Sequence, residues 1–343
     1  MTGSIAETPS NDNDLNQEQP PAKSAKSKLV DFARRALVVL VFAAAVYFIA
    51  TQWPQVQATV FALQWWQILL SLLALIPGVL LGMYMWRVVM SSLLKSVDIE
   101  PPGLVLNQIY LVGQIGKYLP GSVWAFVLQM ELGRKNGIAR AQVFVASLVS
   151  TGITIGAALV VGASSLPILV QREPNLQWLY VILPVVILAM NPNVVTFLVN
   201  TVLRVFRRPP LPERIQANTM VKAFILGVLM YLCFGLHLWI LVGHEATLDL
   251  ATFLVLTGAL ALGMTLGVLA FLLPAGVGAR EAILILALAG MMSAGAATAI
   301  AALSRIMFTV ADLLCVGIAY IHFRWRHPTL AKAPAEQTDN NAN

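Results

Sequence analysis

From Gln142 to Ser164 the chain carries no Asp, Glu, Lys or Arg. At about 1.5 Å per residue, a helix of that length covers the hydrocarbon core of a bilayer. Comparable apolar runs recur at about Ala36–Thr51, Ile68–Val89, Asn175–Met190, Lys222–Val242, Leu250–Leu273 and Thr298–Phe323. In hydrocarbon every backbone N–H and C=O has to be satisfied within the protein, so runs of this kind are read as spanning helices. Composition agrees: 58% of residues are hydrophobic and 11% charged, whereas a soluble domain carries about 25% charged. Soluble enzymes and DNA-binding factors are thereby excluded. The formal charge of +6 reads as a topology signal and not as a nucleic-acid footprint. Cys233 and Cys315 both fall inside apolar runs and offer no disulfide framework, and the scattered histidines make no zinc pattern.

The expected fold is an all-α polytopic integral membrane protein of about seven to eight transmembrane helices. Residues 1–30, rich in Asn, Asp, Gln, Pro and Lys, read as a disordered cytoplasmic tail, 31–326 as the membrane domain, and 327–343 as a second disordered tail. Lys23, Lys26, Lys28, Arg34 and Arg35 place the N-terminus in the cytoplasm of a plasma (inner) membrane protein. Lys95, Arg134, Lys135, Arg140, Arg204, Arg207 and Arg208 mark the same side, against Arg172 in the outer loops. The uncharged stretch Gln52–Gln67 reads as an outer loop whose Trp53, Trp65 and Trp66 form an aromatic belt. Pro77-Gly78 is expected to kink the second span. Val194–Arg208 reads as a helix on the inner leaflet, with Val194, Leu198, Val202 and Val205 as its apolar face.

Two stretches break the pattern. Residues 104–130 are long enough for a span but are interrupted by Gly113, Gly116, Lys117, Pro120 and Gly121, with cytoplasmic markers on both sides. That pattern predicts a re-entrant hairpin. The second interruption, Leu272 to Glu281, holds Pro274, Gly276 and Gly278, and a short apolar helix, Ala282–Met291, follows it. One or two re-entrant broken-helix hairpins are therefore expected. Broken helices in corresponding positions of two halves point to a transporter-type site made from an internal repeat.

A charge at membrane depth costs at least about 2.5–3.5 kcal/mol on insertion scales, so the ionisable residues inside apolar segments are the functional candidates. They are Arg87, Lys117, Arg280, Glu281, Arg305 and Asp312. Arg305 and Asp312 lie two turns apart on one helical face with Thr309 between them. They read either as a packing salt bridge or as a cationic headgroup site and a coupling carboxylate. Arg280 and Glu281 open a short helix after the glycine break, where backbone N–H groups and a guanidinium favour an anion. The plainer reading of Glu281 is a helix-dipole partner. Lys117 is their counterpart in the first break, or else a lysine snorkelling to the interface. Arg87 reads as an interface anchor, and His237 as a packed histidine hydrogen-bonded across helices. Gly263 and Gly267 lie inside an apolar run without the Lys-Ser/Thr of a phosphate-binding loop, so no nucleotide, metal or other cofactor is expected.

Gly113-Gln114-Ile115-Gly116-Lys117-Tyr118-Leu119-Pro120-Gly121-Ser122-Val123-Trp124 resembles the first signature of the flippase-like family typified by the transmembrane region of lysylphosphatidylglycerol synthase. Leu273-Pro274-Ala275-Gly276-Val277-Gly278-Ala279-Arg280-Glu281-Ala282, followed by Leu303-Ser304-Arg305-Ile306, is similar to the second. The second departs from the usual Pro-x-Gly-Gly-x-Gly spacing. The likeness covers about residues 30–325 and implies lipid translocation by a free-standing, non-enzymatic transporter, without the soluble synthase domain. From the broken helices and the charges beside them, the expected substrate site is Lys117, Arg280, Arg305, Tyr118 and Trp124, with Glu281 and Asp312 for coupling or charge balance. Pro120, Gly121, Pro274, Gly276 and Gly278 would form the backbone breaks. The expected partners are membrane lipids (phospholipid, aminoacyl-lipid or polyprenyl-phosphate-linked glycolipid) and a second copy of the chain, with no nucleic acid. The alternative is a non-transporting partner that recruits a lipid- or glycan-modifying enzyme through the basic 204–214 surface.

Overall fold

The computed structural model of the chain describes residues 53–118, 123–167, 177, 180–189, 191–205, 210, 215–243, 249–269 and 278–326. Its main elements are α1 (Trp53–Ala62), α2 (Trp65–Lys95), α3 (Gly103–Gln114) continued by a 3₁₀ turn (Ile115–Tyr118), α4 (Trp124–Lys135), α5 (Arg140–Ala163), α6 (Ile182–Ala189), α7 (Pro192–Val205), α8 (Ala217–Val242), α9 (Leu250–Leu269), α10 (Ala279–Leu288) and α11 (Ala294–Arg326). Helices α2, α5, α8, α9 and α11 are long and apolar enough to cross a membrane. The chain is a multi-pass helical membrane protein. The terminal tails, the run at 36–51, most of 168–179 and the tips of both interruptions lie outside the described residues. So do Pro120, Gly121, Pro274, Gly276, Arg207 and Arg208.

Two sequence expectations need correction. Gln52–Gln67 is helical over most of its length. Trp53-Pro54 opens α1, where a proline is tolerated because first-turn N–H groups have no partner in the helix. At the start of α2 the Gln64 N–H donates to Gln67 Oε1 (2.9 Å), so the break between the two helices is short. In α7 the face packed on the protein is Val195, Thr196, Val199 and Leu203, one residue out of register with the predicted one. Phe197, Leu198 and Val205 remain exposed on its other side. The helix therefore has two apolar faces, which the spacing rule applied to one stripe does not resolve.

The helices are amphipathic in the sense appropriate to lipid. Val221, Ile225 and Leu229 on α8, and Ile306, Val310 and Leu313 on α11, are exposed at helical spacing. The opposite stripe of α11, Ala301, Ser304, Phe308, Ala311 and Cys315, is buried. Helix α2 runs unbroken through Pro77. Beside it, the Phe234 ring of α8 occupies the space a Gly78 side chain would need, so α2 and α8 approach closely. Their contact is the most extensive among the described helices.

Around that contact the two halves pack in the same pattern. Helix α2 touches α3, α3 touches α4, α4 touches α5, and α5 returns to α2. Likewise α8 touches α9, α9 touches α10, α10 touches α11, and α11 returns to α8. The contacts between halves also correspond: α2 with α11 matches α8 with α5, and α3 with α11 matches α9 with α5. In each half an interruption lies between the second and third helices, and a short third helix follows it.

Candidate functional site

Each interruption delivers charged side chains to α11. The 3₁₀ turn after α3 ends at Lys117-Tyr118. It packs so tightly on the first turn of α4 that a side chain at Gly116 would meet the Trp124 carbonyl at 2.6 Å. That packing carries Lys117 Nζ to 2.6 Å from Asp312 Oδ2. The Tyr118 hydroxyl donates to the same oxygen at 2.5 Å. Asp312 is 6% exposed, whereas the Lys117 side chain is about one-third open at 34%. Buried carboxylates persist where hydrogen bonds and a cation compensate them, and Asp312 has both.

The second interruption enters α10 through Gly278, whose φ of +91° favours a residue without Cβ. The Gly278 N–H donates to Glu281 Oε2 at 2.7 Å, closing the first turn. The other Glu281 oxygen, Oε1, accepts from Arg305 NH1 of α11 at 2.5 Å. Both Glu281 oxygens are therefore engaged, one in the backbone cap and one in an ion pair.

Arg280, one residue earlier, points elsewhere. It is 7% exposed, and its NH2 donates to Ser304 Oγ at 2.9 Å. Its guanidinium carbon lies 4.3 Å over the Phe308 ring. Its Nε is buried without a hydrogen-bond partner among the described residues. Charges on Glu281, Arg305 and Asp312 all act on it, so both ion pairs and the buried arginine form one electrostatic cluster.

The structure thus brings together Lys117, Tyr118, Arg280, Glu281, Arg305 and Asp312. Arg305 and Asp312 do not pair with each other, although their spacing allowed it. Each has a partner on another helix, because α11 runs between the two interruptions and presents one residue to each. Thr309, between them, donates to the Arg305 carbonyl at 3.1 Å. Trp124 opens α4 and is 46% exposed. Arg87 packs over Gly103 at the start of α3 and lies 5.8 Å over the Tyr84 ring, where it helps seat that helix.

Sequence reasoning missed two participants. Ser304 and Ser71 are fully buried and bracket His237: its Nε2 is 3.0 Å from Ser304 Oγ and its Nδ1 2.5 Å from Ser71 Oγ. A serine in an apolar helix ordinarily bonds its own backbone, so only the position of Ser304 beside Arg305 in the second motif hinted at a further role. Near the end of α4, Glu131 accepts from Arg134 of the same helix and from Arg140 at the start of α5. The Arg134 hydrogen bonds, then those of Arg140, hold its carboxyl down at about 2.

A family model described as the lysylphosphatidylglycerol synthase TM region matches residues 35–317, which takes in every helix described above up to most of α11. No curated protein matches the chain.

Proposed function

Because the chain belongs to the family of the lysylphosphatidylglycerol synthase transmembrane region, we propose that it moves a lipid with a phosphate-bearing headgroup between the leaflets of the plasma membrane. The observation that carries this reading is that a charged residue from each interruption pairs with α11, Lys117 with Asp312 and Glu281 with Arg305. Arg280 is left as a buried cation without a carboxylate at ion-pair distance among the described residues. Lys117, Arg280 and Arg305 against Glu281 and Asp312 leave one net positive charge at membrane depth. Such a charge is expensive unless an anion completes it.

By the positive-inside rule Lys95, Arg134, Lys135 and Arg140 face the cytoplasm, as does the N-terminus. Helix α2 then runs inward and α8 outward, so the two matching halves have inverted topology. The α3–α4 pair enters from the cytoplasmic side and the α9–α10 pair from the outer side, as two re-entrant hairpins. With the spans read from the sequence at 36–51 and 175–190 added to α2, α5, α8 and α11, the full crossings number about six beside the two hairpins. Inverted repeats with broken helices place a binding site near the bilayer midplane, where one half rocks against the other.

In that site a phosphate oxygen competes with Asp312 for Lys117 and with Glu281 for Arg305, and it receives the free donor of Arg280. The displaced carboxylates balance charge or carry a coupling proton. Translocation in this scheme makes and breaks no covalent bond. The test is leaflet exchange of fluorescent phosphatidylglycerol in proteoliposomes, comparing wild type, Arg305→Ala and protein-free vesicles. Faster exchange with wild type than with Arg305→Ala is expected. Equal rates in wild-type and protein-free vesicles would rule out translocation of this lipid, and equal rates in the two proteins would remove Arg305 from the path.

A further inference from the structure

We propose that Ser304, His237 and Ser71 are positioning residues for Arg280, a polarised hydrogen-bond chain that accepts from the guanidinium and fixes it over the Phe308 ring. This rests on the reading of Arg280 as part of an anion site.

The direction of the chain follows from which groups can accept. A guanidinium has no acceptor, so in the Arg280–Ser304 contact the serine oxygen receives the proton. The Ser304 hydroxyl proton then goes to His237 Nε2 at 3.0 Å. That assignment leaves the imidazole proton on Nδ1, which donates to Ser71 Oγ at 2.5 Å. Ser71 passes its own proton to the His237 backbone carbonyl at 3.1 Å. Every proton shared between neighbours from Arg280 to Ser71 has an acceptor, and the histidine is neutral. In the other tautomer Ser304 Oγ would receive two donors, and its own proton would lose His237 as acceptor.

The first half contains the corresponding chain with opposite polarity. Trp86 on α2 donates to Ser147 on α5 at 3.0 Å, and Ser147 donates to Gln129 Oε1 on α4 at 2.5 Å. By the packing correspondence these helices match α8, α11 and α10, which carry His237, Ser304 and Arg280. In both halves a serine on the fourth helix ties the short third helix to the first helix of its set. In the first half the chain starts at an indole N–H and ends on a neutral amide oxygen, so the short helix contributes an acceptor. In the second it starts at Arg280 and ends at a backbone carbonyl. The extra member, Ser71, orients the imidazole ring so that Nε2 faces Ser304. Phe308 supports the arrangement, edge-on to His237 at 5.4 Å and beneath Arg280 at 4.3 Å. A scaffold common to both halves is thus used in one half for packing and in the other to aim a cation whose Nε has no partner among the described residues.

The test is equilibrium binding of fluorescent phosphatidylglycerol to the purified full chain in detergent micelles, with thermal stability measured alongside. The variants are His237→Leu, His237→Gln, Ser71→Ala, Arg280→Gln and Ser147→Ala. His237→Gln keeps an acceptor near the Nε2 position and His237→Leu does not. Losing a hydrogen bond that orients a charged donor should raise the half-saturating lipid concentration roughly tenfold in His237→Leu. His237→Gln should stay within about threefold of wild type, and Ser71→Ala should shift in the same direction by a smaller factor. Ser147→Ala should lower thermal stability without shifting binding. If Arg280→Gln loses binding while folded His237→Leu and Ser71→Ala retain it, the positioning role is overturned and the anion-site reading survives. Unchanged binding in Arg280→Gln overturns both. Equal losses in His237→Gln and His237→Leu also overturn the positioning role.

Discussion

The Lys117–Asp312 pair makes an asymmetric prediction. Removing one member of a buried pair costs about 3–5 kcal/mol when the other charge stays buried, but here the members differ in what they can do alone. Lys117→Met leaves Asp312, 6% exposed, with the Tyr118 hydroxyl as its remaining hydrogen-bond donor, so the cost should fall in that range, about 3–5 kcal/mol. Asp312→Asn leaves a lysine that is 34% exposed and can swing its ammonium to water. Asparagine also still accepts from Tyr118, so the loss should be smaller, about 1–2 kcal/mol. The double variant Lys117→Met/Asp312→Asn leaves no uncompensated charge and should recover about 1–3 kcal/mol relative to the sum of the single losses. Reversible unfolding in mixed micelles of increasing SDS fraction measures all three. An Asp312→Asn variant as damaged as Lys117→Met, or a double variant as damaged as the sum, would refute the claim that a buried Asp312 depends on a semi-exposed lysine.

Further outcomes follow from single contacts. Gly278→Ala forces a Cβ onto a residue at φ +91° and should cost about 1–3 kcal/mol in the same unfolding assay. Glu281→Gln keeps an acceptor for the Gly278 N–H but weakens the Arg305 pair, so leaflet exchange should fall more than stability does. Gly235→Ala drives a methyl into the Thr257 side chain of α9 and should destabilise by about 1–3 kcal/mol. Glu131, ordinarily near 4.5 and held at about 2 in the fold, should remain ionised at pH 3.5. Its folded value is depressed, so its contribution is complete above the unfolded value and disappears as pH falls from 4.5 toward 2. Carboxyl-carbon NMR of Glu131 should titrate near 2, and a midpoint near 4.5 would remove the Arg134 and Arg140 bonds from solution.

Where a helix is long and uniformly apolar, its limits were legible to within a few residues. Gln142–Ser164 was expected and α5 runs Arg140–Ala163; Thr298–Phe323 was expected and α11 runs Ala294–Arg326. Short elements were less legible. Nothing in the hydropathy of Gln52–Gln67 distinguishes an interfacial loop from α1, because an uncharged stretch that short suits either. The packed face of α7 depended on which of two apolar stripes meets the bundle. The candidate charges were legible because each is conspicuous in an apolar context, but their partners were not. Tyr118 and Asp312 are 194 residues apart, and no local rule connects them. Ser304, Ser71 and the Trp86–Ser147–Gln129 chain were invisible for a related reason. A serine or an indole in a membrane helix carries no signal of its own until its neighbour is known.

The sequence by itself determined that this chain is a helical membrane protein, which charged residues fall within its apolar segments, and that two interruptions punctuate it. These follow from per-residue transfer energies, which depend on residue type and order alone. The tertiary structure decided that Arg305 and Asp312 pair with residues from the interruptions and not with each other. It also decided that two sets of four helices pack in one repeated pattern, and that Arg280 is held by a chain running through His237. Pairing between distant segments is set by which helix faces which, and that is a property of the packed bundle.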